Sequence, residues 1–246
     1  MDRLVFAAMT GARAAVNQLA ITANNLANAA TPGFREQIAA FRAVPMGGDG
    51  ANTRAFTLDT TPGSNFTIGA IESTNNPMDV AISDGAFLVL RRQDGREALT
   101  RAGRLSVSTT GELRGALGLP VVGESGPITV PPNTVPQIGE DGTVTIFDPN
   151  SPQPQVIGRL KIVKAEGGIL SRAPDGLFEL PQGLSPRSDP SVAVKQGFLE
   201  GSNVSVAAAM VAMVSQQRMF DMNMKMIQSA DLNARSANGI MSLSRN

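Results

Sequence analysis

The sequence predicts an α+β protein in which N- and C-terminal helices flank a central antiparallel β-rich domain. Both ends of the 246-residue chain favour helix, because residues 4–30 hold ten alanines and residues 205–246 hold seven of the eleven methionines and no proline. Residues 35–203 contain 22 of the 25 glycines and 15 of the 16 prolines, a density that long helices do not tolerate. We therefore expect three parts, residues 1–34, 35–203 and 204–246.

The N-terminal segment predicts an amphipathic helix that stops at a defined turn. Steps of three and four residues connect a stripe of mostly small side chains, namely Val5, Ala8, Ala12, Ala15, Leu19, Thr22 and Leu26. The helix should end between Asn28 and Ala30, because Pro32 disfavours helical geometry in the residues before it. Residues 31–34, TPGF, have Pro at the second and Gly at the third position, which indicates a type II turn.

Turn dipeptides divide the middle of the chain into short antiparallel strands. Asp-Gly pairs supply the positive φ angles of tight turns, and they precede or separate most of the apolar runs. The predicted strands are 86–92 with a partner after Asp94-Gly95, 104–108 with a partner after the turn at 109–111, 143–147, 156–165 and 177–180. Residues 148–155, DPNSPQPQ, are predicted to form an exposed loop.

The C-terminal helix carries a second stripe, made of bulky and flexible side chains. The same steps connect Val206, Met210, Met213, Gln217, Phe220, Met224, Ile227, Asp231, Ala234, Asn238 and Met241. We expect Ser202 or Asn203 to cap the start of this helix. The two stripes predict coiled-coil-like helices that pack lengthwise on other helices, where polar members such as Gln217 set the register. The alternative is that both helices simply cover the β-rich domain.

Composition excludes several classes of function. The 21 basic residues balance the 21 acidic ones, so no net field attracts nucleic acid or an anionic membrane surface. The chain has no His, Cys, Trp or Tyr, which excludes Cys-His and Ser-His-Asp catalysis and His-based zinc sites. No run approaches the roughly 18 apolar residues of a membrane span. The short apolar start, interrupted by Asp2 and Arg13, does not favour a cleaved signal peptide.

Both ends of the chain carry motifs that resemble the signatures of the flagellar axial proteins, the family of rod, hook and hook-filament junction subunits. Residues 23–34, ANNLANAATPGF, are similar to the family's A-x-N-L-A-N-x-x-T-x-G-F signature, and residues 199–204, LEGSNV, to its L-E-x-S-N-V signature. Residues 75–90 and 99–131 resemble the P-L-D-V-A-I-x-G-x-G-F-F and Y-T-R-x-G segments, with Leu99 in place of the usual Tyr. The likeness covers almost the whole chain.

The resemblance implies a structural subunit without an active site, a cofactor or a bound metal. The short length and the segments FRAVP at 41–45 and GRLKIVKAE at 158–166 look most like a proximal-rod subunit, with a distal-rod or hook subunit as the alternative. The implied partners are other proximal- and distal-rod subunits, copies of the same chain and, in transit, the flagellar type III export apparatus. The implied location is the basal-body rod in the periplasm, where the terminal helices form an inner layer around the export channel.

The resemblance and the two stripes together define the residues expected at assembly interfaces. They are Leu19, Asn24, Asn25, Leu26, Asn28, Thr31, Pro32, Gly33, Phe34, Glu200, Asn203, Val204, Met210, Met213, Gln217, Phe220, Met224 and Ile227. Asn24 and Asn28 lie four residues apart on one helical face, and buried amides need hydrogen-bond partners. We therefore predict that they bond to a neighbouring helix, of this chain or of another subunit.

Two other functions use features of the same sequence. A glycan hydrolase needs only two carboxylates, and Asp79 with Asp84, or Glu140 with Asp141, could supply them. Asp84 and Asp141 each precede glycine in a turn, which explains their presence without catalysis. A β-rich binding protein whose helices pack on its own β domain is the other alternative.

Overall fold

The computed structural model describes residues 2–39, 41–45, 55–59, 63–132, 134–147, 153–181, 184 and 187–243. Its helices are α1 (Asp2–Ala27) and α2 (Val206–Leu243). The strands are β1 (Gln37–Ile38), β2 (Phe41–Pro45), β3 (Ala55–Asp59), β4 (Gly63–Ser64), β5 (Ile71–Ser73), β6 (Val80–Ile82), β7 (Ala86–Arg91), β8 (Glu97–Thr100), β9 (Ser106–Val107), β10 (Leu113–Arg114), β11 (Val122–Gly123), β12 (Gly126–Pro127), β13 (Gln137–Ile138), β14 (Thr143–Phe147), β15 (Pro154–Arg159), β16 (Ile162–Lys164), β17 (Ser171–Arg172), β18 (Phe178–Glu179), β19 (Val194–Gln196) and β20 (Phe198–Glu200). The α+β prediction is confirmed.

The chain divides into two compact units. Unit 1 comprises residues 1–27, 37–63 and 205–246, and unit 2 comprises residues 28–36 and 64–204. Unit 1 therefore contains both long helices and the antiparallel pair of β2 and β3. Unit 2 contains almost all of the remaining strands.

In unit 1 the two helices run antiparallel. Gly11 approaches Asn223, since a Cβ on Gly11 would lie 2.8 Å from the Asn223 side-chain oxygen. Thr22 Oγ1 accepts a hydrogen bond of 2.9 Å from Gln216 Nε2. The small-residue stripe of α1 lies in this contact, because Ala8, Ala12 and Ala15 are all buried, as is Thr22. Small side chains let two helices approach closely over their length.

Unit 2 is built on a five-stranded sheet with the order β16-β7-β8-β18-β17. The interior strand β7 is buried on both faces: Leu88 and Leu90 belong to one apolar cluster, and Phe87 and Val89 to another. A strand covered on both sides has no solvent face, which explains its uninterrupted apolar run. The β7–β8 hairpin turns at Gly95 with φ +83°, as the Asp-Gly pair predicts.

Three other strand predictions are confirmed: β14 has the predicted bounds, whereas β9 and β18 are shorter than expected. The pair β9–β10 turns at Gly111, β14 follows Gly142, and β18 follows Gly176, and each of these glycines has a positive φ. The predicted exposed loop at 148–155 lies partly outside the described residues, and its last two residues begin β15.

The single strand predicted over 156–165 is wrong. The structure has two strands there, β15 and β16, which end and begin on either side of Leu160 and Lys161. β15 pairs with β14 in a three-stranded sheet, and β16 pairs with β7 in the central sheet. Alternating apolar residues continue through the junction, so the change of partner leaves no mark on the pattern.

Both predicted helix ends need correction. α1 ends at Ala27, just before the expected range, because Asn28 already accepts a turn hydrogen bond from Thr31 N (3.1 Å). α2 begins at Val206, and Ser205 caps it: Ala208 N donates to Ser205 Oγ at 3.4 Å. The prediction of Ser202 or Asn203 as the cap is therefore wrong.

Candidate functional site

The turn at residues 31–34 packs closely on the sheet of unit 2. Phe34 N donates to the Thr31 carbonyl (3.2 Å), and Gly33 has a φ of +70°, as the third position of a type II turn requires. A Cβ on Gly33 would lie only 2.3 Å from the carbonyl carbon of Arg101. Glycine is thus required here by its backbone conformation and by close approach.

Phe34, the aromatic residue of this turn, is buried beneath a cation. The Arg172 guanidinium lies over the ring, 4.4 Å from its centroid, which is typical of a cation–π contact. Arg172 Nη1 also donates to the Arg35 carbonyl (2.6 Å). Burial lowers the pKa of Arg172, because desolvation disfavours the charged form.

Glu200, from the C-terminal signature, is the centre of a buried ion cluster. Its carboxylate forms ion pairs with Arg35 and Arg101, and none of the three side chains is more than 2% exposed. Arg101 Nε donates to Glu200 Oε2 (2.8 Å), and Gly69 N donates to Oε1 (3.1 Å). The Glu200 carbonyl accepts a hydrogen bond from Gly33 N (2.8 Å). Segments from both signatures therefore meet at one residue.

Arg101 connects this cluster to the central sheet. Its Nη1 donates to the carbonyls of Ser83 (2.7 Å) and Ala86 (2.5 Å), and its Nη2 donates to that of Ile82 (3.0 Å). Burial lowers the pKa of Arg101, and the charge of Glu200 opposes that shift. Only a guanidinium offers enough donors, in a fixed fork, for all of these acceptors.

Asn203 joins separate loops of unit 2 through its side-chain amide. Its Oδ1 accepts from Glu36 N (2.7 Å), and its Nδ2 donates to the carbonyls of Asn65 (2.8 Å) and Thr67 (3.0 Å). Both ends of the amide are therefore occupied, which is why Asn203 does not cap α2. Half-buried Val204 follows it and donates to Ser202 Oγ (3.2 Å).

The three asparagines of the N-terminal signature have different environments. Asn25 is buried, and its amide exchanges two hydrogen bonds of 2.8 Å with the backbone N–H and carbonyl of Gln37. Asn24 is exposed on α1, and half-buried Asn28 accepts from Thr31 Oγ1 (3.1 Å). The bonding of Asn24 and Asn28 to a neighbouring helix stays a prediction. Pro32, in the turn that follows, is half-buried.

The predicted interface residues of the helices divide between half-buried and exposed positions. The half-buried ones are Leu19, Leu26, Met213, Phe220 and Ile227, and the exposed ones are Met210, Gln217 and Met224. Ala209 and Ala230 are the buried residues of α2 among those whose side chains are described. Each lies one position before a member of the predicted stripe, so the stripe is rotated partly away from α1.

The terminal helices expose many large apolar side chains. Each of the following is more than a third exposed, and together they define the apolar helix faces: Phe6, Met9, Val16, Val206, Met210, Val211, Val214, Met219, Met222, Met224, Met226 and Leu232. Val211 is the most exposed of them, at 72%. Exposed apolar surface that is contiguous is typical of interaction sites.

The acidic pairs considered for catalysis have structural surroundings. Asp141 accepts hydrogen bonds from Thr143 N (3.0 Å) and Oγ1 (2.6 Å), which lower the pKa of its carboxyl group. A glycosidase acid needs the opposite shift. Asp79 is buried with Arg104 Nε at 3.7 Å, whereas Asp84 is exposed in the turn before β7. Within the described ranges, no group of three or more acidic side chains could hold a metal ion.

Family models match three segments of the chain. A model described as flagella basal body rod protein matches residues 7–35, one described as flagellar hook protein FlgE/F/G D1 domain matches 81–146, and one described as flagellar basal body rod FlgEFG protein C-terminal matches 195–240. The first and third include the turn at 31–34 and Glu200, respectively. The fold and its two signatures therefore define a structural subunit of the flagellar rod and hook class.

Full-length relatives give a finer assignment. The chain is 44% identical to flagellar basal-body rod protein FlgF of Salmonella typhimurium and 43% identical to that of Escherichia coli, in each case over 99% of this chain and 100% of the relative. It is 28% identical to flagellar basal-body rod protein FlgG of Buchnera aphidicola over 90% of this chain and 93% of the relative. The chain belongs to the FlgF family of flagellar basal-body rod proteins.

This membership determines the class of activity and the location. The chain is a structural subunit of the proximal rod, located in the flagellar basal body, and is not an enzyme. The distal-rod alternative is not favoured, because the FlgF proteins of Salmonella and Escherichia coli match at much higher identity than the FlgG relative. No helix in the described part of the chain is long and apolar enough to cross a membrane.

Sequence reasoning missed the two arginines that hold Glu200. Arg101 lies in the LTRAG segment, and Arg35 directly follows the N-terminal signature. Their ion pairs with Glu200 join residues 99 and 165 positions apart in the chain. A pairing of that separation has no local pattern. The sequence does place each of the two arginines in or next to a segment that resembles the family, and this was the one indication of their importance.

Proposed function

We propose that this rod subunit assembles through its apolar helix faces, which pack against the terminal helices of neighbouring rod subunits, including copies of itself. In this arrangement residues 1–34 and 204–246 contribute to a coiled-coil-like inner layer around the export channel. Residues 35–203 form the outer β-rich layer. The assembled shaft crosses the periplasm and transmits torque.

The observation that carries this proposal is the exposure of Val211, Met222 and their apolar neighbours on α2. α1 covers only one side of α2. Burial of the remaining apolar surface by another helix would stabilise the assembly by about 25 cal/mol per Å². Methionine side chains are flexible and adapt to neighbours that differ slightly in shape. Such adaptability suits a subunit that contacts both its own copies and other rod proteins.

Family membership supports one further partner. We infer that the chain passes unfolded through the flagellar type III export apparatus before it assembles. The absence of cysteine fits this route, since no disulfide can lock the chain before export.

A charge placed in the apolar helix faces tests the assembly proposal. Met222→Glu puts a carboxylate where the proposal requires a dry contact, and we expect the variant to be absent from purified basal bodies and the cells to lose motility. Gln228→Glu is the matched control, because it adds the same charge at an exposed polar position of the same helix. Normal rod assembly by Met222→Glu would contradict the proposal.

A further inference from the structure

Unit 2 contains a cavity of about 590 Å³ beside the buried ion cluster. Its lining residues include Arg35, Phe66, Asp84, Phe87, Arg101 and Lys164, together with Glu166, Gly167 and Asp189. The volume lies in the range of small-molecule sites. The assembly proposed above uses the apolar helix faces and not this cavity.

The deepest charged groups of the cavity carry excess positive charge. Two guanidinium groups, those of Arg35 and Arg101, share the single carboxylate of Glu200. All donor nitrogens of Arg101 have acceptors, whereas Arg35 Nε is buried without a hydrogen-bond partner among the described residues. Arg35 Nη1 contacts Glu200 as an ion pair but not in hydrogen-bond geometry. A buried cation that lacks an acceptor favours a bound anion.

The mouth of the cavity carries the opposite charge. Asp84 and Glu166 are exposed and Asp189 is half-buried, against one exposed ammonium group, that of Lys164. Asp189 accepts hydrogen bonds from Ser191 N (2.9 Å) and Oγ (2.6 Å), which lower its pKa and keep it ionised. This acidic mouth repels polyanions and attracts a cationic group.

The wall between the mouth and the ion cluster is apolar and fixed in position. Phe66 and Phe87 contact each other edge to face, with centroids 6.2 Å apart. Gly167 packs directly on Phe66, since a Cβ on Gly167 would lie 2.2 Å from the ring. The aromatic side chains therefore cannot swing freely into the cavity, and they offer a surface for an aliphatic group.

We propose that this cavity binds a small zwitterion of the amino-acid type, with its carboxylate on Arg35 and its ammonium group at the acidic mouth. A ligand with only a carboxylate would pair with Arg35 but not with the acidic mouth, and a ligand with only an ammonium group would pair with the mouth but not with Arg35. The site is separate from the apolar helix faces. It does not depend on rod assembly.

Nuclear magnetic resonance of the ¹⁵N-labelled full chain tests the proposal. Glycylglycine should shift the amide signals of Gly85 and Gly167 and the Arg35 Nε–H signal saturably, with a Kd on the order of 1 mM. Acetate and methylammonium, which each carry half of the ligand, should bind about tenfold more weakly, since each forms only one of the two charged contacts. The amide signals of Gly33 and Gly69, which bond to Glu200, report that the ion cluster is formed.

An exposed variant keeps the test independent of folding. Glu166→Gln should weaken glycylglycine binding severalfold but not weaken acetate binding, because it removes a carboxylate that attracts an ammonium group and repels an anion. Glu72→Gln, an exposed change outside the cavity lining, should alter neither. No saturable shift at about ten times the expected Kd would overturn the proposal. Equal affinity for acetate and glycylglycine would overturn it as well, because the site would then recognise an anion only.

Discussion

At the scale of single residues, the two signatures are explained by Glu200 and the groups around it. Gly33 bonds to the Glu200 backbone carbonyl, while Arg35 and Arg101 form ion pairs with the carboxylate, although all three residues lie far from Glu200 in the chain. The turn at 31–34 was predictable because Pro and Gly impose it locally. The ion cluster was not, because its members find each other only after the sheet has formed.

Replacement of Glu200 should be strongly destabilising. Glu200→Gln leaves two buried guanidinium groups without a counter-charge, and we expect a loss of about 3 to 5 kcal/mol in the free energy of unfolding. Urea unfolding of the purified chain measures this loss. Glu72→Gln makes the same change at an exposed position, where a shift within about 0.5 kcal/mol is expected. Equal stability of the two variants would show that the cluster contributes nothing.

Gly33→Ala tests the turn. Alanine would have to adopt a φ of +70°, and its Cβ would lie 2.3 Å from the Arg101 backbone. We therefore expect a loss of about 1 to 3 kcal/mol in the free energy of unfolding. Gly168→Ala is the control, because a Cβ there meets nothing within 4 Å and its φ is ordinary. Thermal unfolding of both variants compares them, and an unchanged midpoint for Gly33→Ala would refute the requirement for glycine.

At the scale of elements, the sequence predicted most strands but not their partners. β7 and β8 form a hairpin whose turn contains Asp94-Gly95, so their pairing was predictable from adjacent residues. β15 and β16 form one continuous alternating run in the sequence, yet they join different sheets. Alternation of apolar and polar residues indicates that a strand has one buried face, but it does not indicate which sheet the strand joins.

The contact of α1 with α2 depends on a small residue at Gly11. Gly11→Leu places a large side chain where Asn223 approaches, and we expect the helices to separate. Gly11→Ala should be tolerated, because the Asn223 amide can rotate and alanine gains about 1 kcal/mol in helix propensity over glycine. Helical circular dichroism and amide exchange of the two variants measure the difference. Equal helix content would show that α1 and α2 do not need this close approach.

At the scale of the whole molecule, the two units differ in how much apolar surface they bury. Unit 2 has two apolar clusters around β7, whereas the contact in unit 1 buries mainly alanines such as Ala8, Ala12 and Ala15. Alanine burial contributes little, so the helices depend on further partners for their stability. The composition of the ends and of the middle was enough to predict helices at the ends and strands between them, but not that residues 37–63 belong to the unit of the helices. The composition did not indicate which partners cover the helices.

Limited proteolysis of the free monomer should reveal this difference. We expect cleavage within residues 2–27 and 206–243, while the five-stranded sheet of unit 2 is retained, because weakly buried helices open more often than a two-sided sheet. Mass measurement of the fragments identifies the cuts. Persistence of both termini at protease concentrations that cut unit 2 would contradict this expectation.

Cysteine protection in the assembled rod tests the assembly proposal most directly, because the chain has no native cysteine to give background labelling. Val211→Cys lies in the apolar helix faces, and Thr109→Cys lies at an exposed turn of unit 2 as the control. With assembly through the helix faces, maleimide labels both cysteines in the free monomer but only Thr109→Cys in purified basal bodies. If Val211→Cys is labelled equally well in the monomer and in the rod, assembly through these helix faces is contradicted.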